Sequence, residues 1–183
     1  QRMDKRSWEF QEKGIKEAKT ENSTRTFGFN CSMSHRHNGR LVTIAGHSRY
    51  LWSAEIYQQA NHYGRYLTHG SIQLTGPADG GLGGFSQEGW DWCHIPGTTA
   101  AVLPMERMKA NVLNVDDKSG YEEMLLSDEW FAGGVTHKGQ SGAFAMKLHE
   151  HDKYNGSLRA RKSFFTFENR VICLGSDIEN SLE

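Results

Sequence analysis

The sequence predicts an all-β protein, an antiparallel β-sandwich of stacked sheets that is preceded by a short helical connector. Apolar and polar residues alternate with a period of two in several short runs, such as 144–149, which is typical of strands with one buried face. The chain has 20 Gly and only 3 Pro, a balance that suits short strands joined by tight turns. We expect about eight to ten strands at this spacing.

Length and charge bound the class of protein. The 183 residues are enough for one domain with a core of its own, and the net charge is -1. No overall basic field recruits nucleic acid, so a polyanionic partner would be bound by a local cluster of Arg, Lys and His, and no apolar run is long enough to cross a membrane. The three cysteines are widely spaced and form neither a disulfide framework nor a zinc motif. We expect free thiols, with Cys31 and Cys173 buried.

The first 26 residues differ from the remainder. Residues 2–18 are highly charged with few apolar positions, and 20–26 are polar without a pattern. We therefore assign 1–26 to a helical connector from an upstream α-helical domain and 27–183 to the sandwich. Because the chain opens on Gln1 and stops just after a strand-like run, we expect a piece of a larger protein, truncated at its C-terminal end.

The first predicted strand covers 27–34, where Phe, Cys and Met alternate with small polar residues. Asn38-Gly39 is a strong hairpin signal, since both residues tolerate positive φ, and 41–45 returns as the second strand. His35, Arg36 and His37 then lie at the hairpin tip. The other predicted elements are a strand at 66–75, a buried strand at 100–103, a short helix within 105–115, a strand at 144–149 and a last hairpin of 162–168 and 171–175 around Asn169-Arg170.

Trp90 and Trp92 stand two residues apart, so an extended backbone would project both rings from one face. The pair is either a plug in the core or a ring platform beside a sugar or base cleft. Composition leaves both interpretations open. Residues 76–84 form a Gly-rich loop that lacks the ending of a phosphate loop, which argues against nucleotide binding.

Two His-x-His pairs, at 35 and 37 and at 149 and 151, would each place two imidazoles on one strand face. No third ligand stands at a motif distance, so we expect no metal site. Cys93 and His94 are adjacent and would point apart in an extended chain. Arg36, Arg49 and Arg65 lie near aromatic residues, a combination that suits an anionic, ring-shaped substrate. The acidic group around Asp128 and Glu129 is, on residue type alone, a solvated edge.

A series of motifs in one order then resembles a known family: Ser48-Arg49-Tyr50-Leu51, Tyr63-Gly64-Arg65-Tyr66, Gly89-Trp90-Asp91-Trp92, Ile95-Pro96-Gly97-Thr98-Thr99, Glu122-Glu123-Met124-Leu125-Leu126-Ser127, Phe144-Ala145-Met146-Lys147-Leu148-His149, Arg161-Lys162-Ser163-Phe164-Phe165 and Leu174-Gly175-Ser176-Asp177-Ile178-Glu179-Asn180. They are similar to the β-sandwich part of the polysaccharide lyases that cleave chondroitin and hyaluronan. The first two are similar to the chondroitin ABC lyase branch in particular.

The resemblance implies β-elimination: the C5 proton of a uronic acid is removed and the 4-linked oxygen is expelled. Such a reaction needs the neighbouring carboxylate neutralised, and a base and an acid in reach. In the family a Tyr and a His do this work, assisted by an Arg and a Glu. The Tyr and the His belong to an upstream helical toroid domain, so we expect this chain alone to be inactive.

Arg36, in Ser34-His35-Arg36, fits the family's Arg, and Glu129 fits its Glu. We expect the two to meet in space, where the guanidinium favours the phenolate form of the Tyr and Glu129 holds the guanidinium. His37, Arg49 and Arg65 are expected substrate contacts.

The expected function is therefore part of a glycosaminoglycan lyase acting on chondroitin or dermatan sulfate, with hyaluronan as a further substrate. The partners would be an anionic polysaccharide and the upstream toroid domain. We expect a secreted or periplasmic bacterial protein without a cofactor, although calcium or magnesium in the longer enzyme is compatible with the resemblance. The alternatives are a non-catalytic carbohydrate-binding sandwich on Trp90 and Trp92, and a cupin-like metalloenzyme on His35 and His37.

Overall fold

The computed structural model describes residues 21–57, 61–76, 89–110 and 126–181. These residues form two four-stranded antiparallel sheets, which confirms the predicted all-β class. The first sheet has the order β1-β2-β3-β4 and the second the order β5-β6-β7-β8. The strands are β1 (Ser23–Phe27), β2 (Ser32–His37), β3 (Arg40–Ala45), β4 (Ser71–Thr75), β5 (Ala132–His137), β6 (Ser141–His149), β7 (Arg159–Phe167) and β8 (Arg170–Glu179).

Helical structure among the described residues is short. One α-helical turn, α1, spans Met105–Met108, and single 3₁₀ turns span Gly28–Asn30, Gly64–Tyr66 and Asp152–Tyr154. Within the described ranges, none of these helices is long and apolar enough to cross a membrane. The expected connector helix at 2–18 lies outside the described residues.

The main core lies between the two sheets. Every second residue of the inner strands points inward, so Met33 and Ile44 of the first sheet meet Phe144, Met146 and Phe164 of the second. The rings of Phe144 and Phe164 are 6.2 Å apart. Each such side chain contributes about 1.5–3 kcal/mol when it is fully buried. The alternation predicted for 144–149 is therefore confirmed.

Two glycines let β1 lie directly on β5 and β6. A β-carbon on Gly134 would come within 2.7 Å of the Thr26 methyl group, and one on Gly142 within 2.9 Å of the Thr24 methyl group. The backbones approach so closely that neither position has room for a side chain.

The hairpin at Asn38-Gly39 is confirmed. His37 pairs with Arg40, and the two turn residues have φ values of 49° and 77°. Both values lie in the left-handed region, as a two-residue hairpin turn of this hand requires.

The predicted strand at 27–34 is wrong. The chain leaves β1 at Phe27, makes a 3₁₀ turn, and reverses at Cys31, whose φ is 49°. Residues 23–26, which we assigned to the connector, lie in β1, where Thr24 is buried. The period-two pattern misled because Phe29 belongs to an exposed turn rather than to a strand face.

Several other boundaries also differ. The predicted strand at 66–75 is a strand only over Ser71–Thr75, and 100–103 is not a strand. Its Ala101 carbonyl accepts a hydrogen bond of 2.7 Å from the Tyr66 hydroxyl. The last hairpin turns at Glu168-Asn169, one residue earlier than predicted, since Phe167 pairs with Arg170. Cys31 is buried as expected, but Cys173 is exposed on β8. Residues 77–84 and 111–115 of the predicted loop and helix lie outside the described residues.

Candidate active site

The segment that leads into β5, residues 126–131, carries Glu129 and is attached by hydrogen bonds at several points. The Arg49 amide donates to the Glu129 carbonyl at 2.8 Å, and the Glu129 amide donates to the Ser127 hydroxyl at 3.1 Å. The Lys147 amide donates to the Phe131 carbonyl at 3.0 Å. Glu129 is therefore held between the loop of Arg49 and the end of β6.

The Glu129 carboxylate faces cationic side chains of the second sheet. Its Oε2 is 3.8 Å from the Lys147 Nζ, and the Glu129 side chain is 20% exposed. The carboxylate lines a groove of about 220 Å³ together with Lys147, Arg159, Arg161, Asp177 and Glu179. A carboxylate that is accessible and near cations can bind or orient another charged group.

The neighbouring residue is bound as well. The Asp128 Oδ1 is 2.6 Å from the His149 Nδ1, and the other ring nitrogen of His149 is 2.8 Å from the Gly156 carbonyl oxygen. The Ser127 hydroxyl also donates to the His149 carbonyl at 3.4 Å. His149, the last residue of β6, thus contacts the segment of Glu129 through both its side chain and its backbone.

Arg49 lies at the same end of the sandwich and is exposed. Its guanidinium carbon is 5.7 Å from the centre of the Tyr50 ring. The loops at this end also expose five large aromatic side chains, Phe29, Tyr50, Trp52, Trp130 and Phe131. We call this region of the sandwich the aromatic end. Aromatic faces next to arginine are suited to sugar rings and to protein partners.

Arg36 lies towards the other end. It pairs with Ser23 on β1, and the next residue, Thr24, donates its amide to Gly139 in the turn after β5. Glu129 precedes the opposite end of β5, and the strand from Ala132 to His137 spans about 17 Å at about 3.3 Å per residue. The expectation that Arg36 and Glu129 meet is therefore wrong. The arginine that the structure places beside Glu129 is Arg49, through the bond between their backbones. The catalytic roles of these residues stay predictions.

Arg65 is not available to a substrate, although the sequence predicted it as a contact. It is 1% exposed, and its guanidinium forms an ion pair with Glu150, donates to the Ser53 hydroxyl and lies 4.4 Å above the Tyr154 ring. Its ion-pair partner is 85 residues away in the sequence. No local pattern could have identified that partner.

The buried cluster of Arg65, Glu150, His69 and His47 has strongly shifted electrostatics. Burial raises the pKa of Glu150, but His69, Arg65 and the His151 amide together hold it well below its usual range. Burial lowers the pKa of His69 against the opposing effect of Glu150, whose Oε2 is 2.9 Å from the ring. Burial and the neighbouring His69 lower the pKa of His47 to about 3. The sequence analysis did not identify this cluster.

His37 also lies at the end of Arg36, away from Glu129. Its ring stacks on His35 at 6.3 Å and lines a groove of about 540 Å³ with Arg40, Glu168 and other residues. His35 itself is buried, and its two nitrogens are each 2.7 Å from a partner, the Thr24 hydroxyl and the Glu168 carbonyl. His37 thus has a groove beside it, but not one shared with Glu129.

Neither His-x-His pair fits a metal site. Both ring nitrogens of His35 and both of His149 are engaged in hydrogen bonds, so neither ring offers a free lone pair. In the part of the chain that the structure describes, no three His, Cys, Asp or Glu side chains are grouped so that they could hold a metal ion. The residues present do not favour the cupin-like alternative.

Neither Trp90 nor Trp92 lies in a strand, and Trp92 is in a turn. Their rings meet edge to face at 6.2 Å and 74°. Both pack against a second core of Tyr66, Ile95 and Met108, as the plug interpretation predicts. Part of their surface also lines a groove of about 440 Å³ with Thr43, Gln73 and other residues. The pair therefore combines packing with a groove wall.

Lys162 of β7 holds the turn that follows the two tryptophans. Its ammonium donates to the Gly97 carbonyl and, at 2.8 Å, to the Thr99 hydroxyl. Burial lowers the pKa of Lys162 to about 8. Lys162 thereby attaches the Pro96-Gly97 turn to the second sheet, across a sequence separation of 65 residues.

Comparison with known proteins identifies the family. Residues 22–183 match the model of polysaccharide lyase family 8, super-sandwich domain. The chain belongs to this family. It is 53% identical over 161 residues to a chondroitin sulfate ABC exolyase of Bacteroides thetaiotaomicron, a match that covers 85% of this chain and 16% of the relative. It is 51% identical over 141 residues to a chondroitin sulfate ABC exolyase of Proteus vulgaris, covering 76% of this chain and 14% of that relative.

Solved structures of lyases share the fold. A Paenibacillus xanthan lyase superposes with a TM-score of 0.71 at 22% identity, covering 92% of this chain and 14% of that one. A chondroitinase AC lyase superposes with a TM-score of 0.69 at 24% identity, covering 90% of this chain and 22% of that one. The family 8 chain described here thus spans only a small part of the length of its relatives.

Proposed function

We propose that this chain is the β-sandwich part of a glycosaminoglycan lyase that cleaves chondroitin or dermatan sulfate, and hyaluronan as a further substrate, by β-elimination. The observation that carries the proposal is the identity of 53% over 161 residues to a chondroitin sulfate ABC exolyase. A chondroitinase AC is 32% identical over 130 residues. The identities of 53% and 51% to two ABC exolyases exceed the 32% to this chondroitinase AC and the 31% to an ABC endolyase, and they favour the broad specificity of the exolyase branch.

The geometry supports a revised pair of assisting residues. Arg49 and Glu129 are joined by the 2.8 Å bond between their backbones at an accessible end of the sandwich. In the elimination, a guanidinium there would neutralise the uronate carboxylate and favour the phenolate form of a nearby Tyr, because it stabilises negative charge. Glu129 would orient that guanidinium. Arg36 lies on β2, near the end of β5 that is remote from Glu129, and would not take part.

The aromatic end is suited to the remaining partners. The base and the acid of the family, a Tyr and a His, are expected in an upstream helical toroid domain of the longer protein. Phe29, Tyr50 and Trp130 are exposed beside Arg49 and Glu129. We propose that this end faces the toroid domain and that the polysaccharide lies between them. The non-catalytic alternative draws no support from these relatives, which are lyases.

The test is a comparison of arginine variants in the full-length protein that contains this chain. Arg49→Gln and Glu129→Gln should each lower the rate at which chondroitin is converted to unsaturated product, read by ultraviolet absorbance, by on the order of 100-fold or more. Arg36→Gln, the matched control, should have a much smaller effect. Absence of any unsaturated product from chondroitin, dermatan or hyaluronan would refute the lyase proposal, and a larger loss in Arg36→Gln would refute the revised pair.

Two further features are part of the proposal. The longer protein would be secreted or periplasmic, since its polymeric substrate is extracellular. The elimination would need no organic cofactor, and any calcium or magnesium would bind elsewhere in the longer enzyme. Activity that survives extensive chelation, with the same Arg49 dependence, is the expected result.

A further inference from the structure

The segment that carries Glu129 has one side-chain attachment that differs from the others. Most bonds to residues 127–131 involve the backbone, such as those from Arg49 and Lys147. The bond between Asp128 and His149 joins two side chains, and at 2.6 Å it is shorter than any of those. It connects the residue next to Glu129 with the end of β6.

The second bond of His149 fixes the orientation of its ring. One ring nitrogen lies 2.6 Å from the Asp128 carboxylate, and the other lies 2.8 Å from the Gly156 carbonyl oxygen. The two partners lie on opposite sides of the ring, so the imidazole bridges the segment of Glu129 and the loop at Gly156.

The surroundings of His149 are consistent with a fixed orientation. Its side chain is only 15% exposed, whereas the carboxylate of Asp128 is 67% exposed. The charged neighbours on the same region of the sheet are Lys147 two residues earlier on β6, Arg159 directly across on β7, and Glu129 beside Asp128. Asp128 is thus the carboxylate closest to the ring.

We propose that His149 is a positioning residue for the elimination: it holds Asp128, and through it the segment of Glu129, where the Glu129 carbonyl bonds the Arg49 amide and the carboxylate faces Lys147. The proposal rests on the proposed function of Glu129. The ring anchors the segment to two places at once, β6 and the loop at Gly156. Without the ring, the backbone bonds would leave the Glu129 side chain free to move away from its cationic partners.

The chain offers a matched control. Asp91 and His94 form a similar pair at 2.8 Å, but both side chains are exposed and flank Trp92 in another loop of the chain. In this 183-residue chain, His149→Gln should accelerate amide hydrogen exchange in peptides that cover residues 127–131 by several-fold. His94→Gln should leave these peptides unchanged. Unchanged exchange at 127–131 in a folded His149→Gln chain would overturn the proposal.

The effect on catalysis is measured in the full-length enzyme. His149→Gln and Asp128→Asn should each lower kcat by roughly tenfold with little change in KM, because a displaced group acts mainly in the transition state. The double variant should lose about the same tenfold and not about a hundredfold, since the two side chains act as one unit. Additive losses, or a loss confined to KM, would contradict a positioning role.

The two proposals fail in different ways. If Glu129→Gln abolishes turnover while His149→Gln and Asp128→Asn are as active as the parent, the role of His149 is refuted and the proposed function stands. If Glu129→Gln is fully active, the proposed role of Glu129 falls, and the positioning role falls with it. Should His149→Gln not fold, His149→Asn and the Asp128→Asn variant, which keeps the β6 residue, provide the same exchange and kcat measurements.

Discussion

Two sets of ion pairs in this sandwich use the same residue types and differ in burial. Arg65 and Glu150 form a pair that is 1% and 0% exposed, and His69 completes it. Arg161 and Asp177, on the outer side of β7 and β8, form a pair at 2.9 Å that is 62% and 54% exposed. The charges of the Arg65–Glu150 pair are therefore shielded from solvent, whereas those of the Arg161–Asp177 pair are hydrated.

Burial decides which of these charges are available for function. A buried pair must keep both partners, because either one alone would be an uncompensated charge in a low-dielectric interior. An exposed pair contributes little to stability and can exchange its partner for a ligand. Arg65 and Arg49 stand in the same His- and Tyr-rich region of the sequence, yet only Arg49 lies on the accessible side of this division.

The largest effect should follow from removing one buried partner. Arg65→Met leaves the Glu150 carboxylate without its ion pair and removes the donor to Ser53. We expect the free energy of unfolding of the chain to fall by about 3–5 kcal/mol. Chemical denaturation followed by circular dichroism measures this.

Arg161→Met is the control for the same chemistry in water. Its loss should be under about 1 kcal/mol, because the pair with Asp177 is exposed. Equal losses in the two variants would mean that burial does not separate the two sets.

Acid should weaken the buried set before the exposed one. The pKa of His47 is about 3 in the fold, below the ordinary value of 6.5, so the unfolded chain binds the extra proton between these values. Stability should fall as the pH drops below about 6.5, by up to about 1.4 kcal/mol per pH unit. Glu150, whose pKa is also lowered, adds a further loss below its ordinary value of 4.5.

The measurement is the melting temperature of the chain between pH 7 and pH 4, about the range in which histidines and carboxylates titrate. A folded His47→Gln chain should show a shallower decline than the parent, since it lacks one of the titrating groups. His94→Gln, which changes an exposed histidine, should reproduce the parent curve. Parallel curves for all three chains would show that His47 is not responsible.

We expect a smaller loss of stability at Lys162, whose charge is buried like that of Arg65 but has no carboxylate partner among the described contacts. It is buried, but its described partners are the neutral groups of Gly97 and Thr99 rather than a carboxylate. Lys162→Met removes two hydrogen bonds and also the burial of a charge, so we expect a net loss of about 1–2 kcal/mol. Hydrogen exchange should increase mainly at 96–99. A gain in stability would show that desolvation of the ammonium outweighs its hydrogen bonds.

Local rules were sufficient wherever neighbouring residues decide the conformation. The hairpin at Asn38-Gly39 depends on the positive φ of two adjacent residues, and the burial of Phe144, Met146 and Leu148 depends on alternation within one strand. The errors occurred where apolar residues at strand spacing serve another purpose. Phe29 is exposed in a turn, and Val102 is exposed in a loop whose backbone bonds Tyr66.

The sequence by itself determined the antiparallel class, the family and the charged residues among which we propose the site, because strand alternation, turn chemistry and ordered motifs are properties of short segments. Only the tertiary structure decided that the Arg49 backbone bonds the Glu129 backbone, that Arg36 of β2 lies towards the opposite end of β5, and that Arg65 is buried against Glu150. These outcomes depend on contacts between segments tens of residues apart, and burial of a charge is set by everything packed around it rather than by its neighbours in the chain.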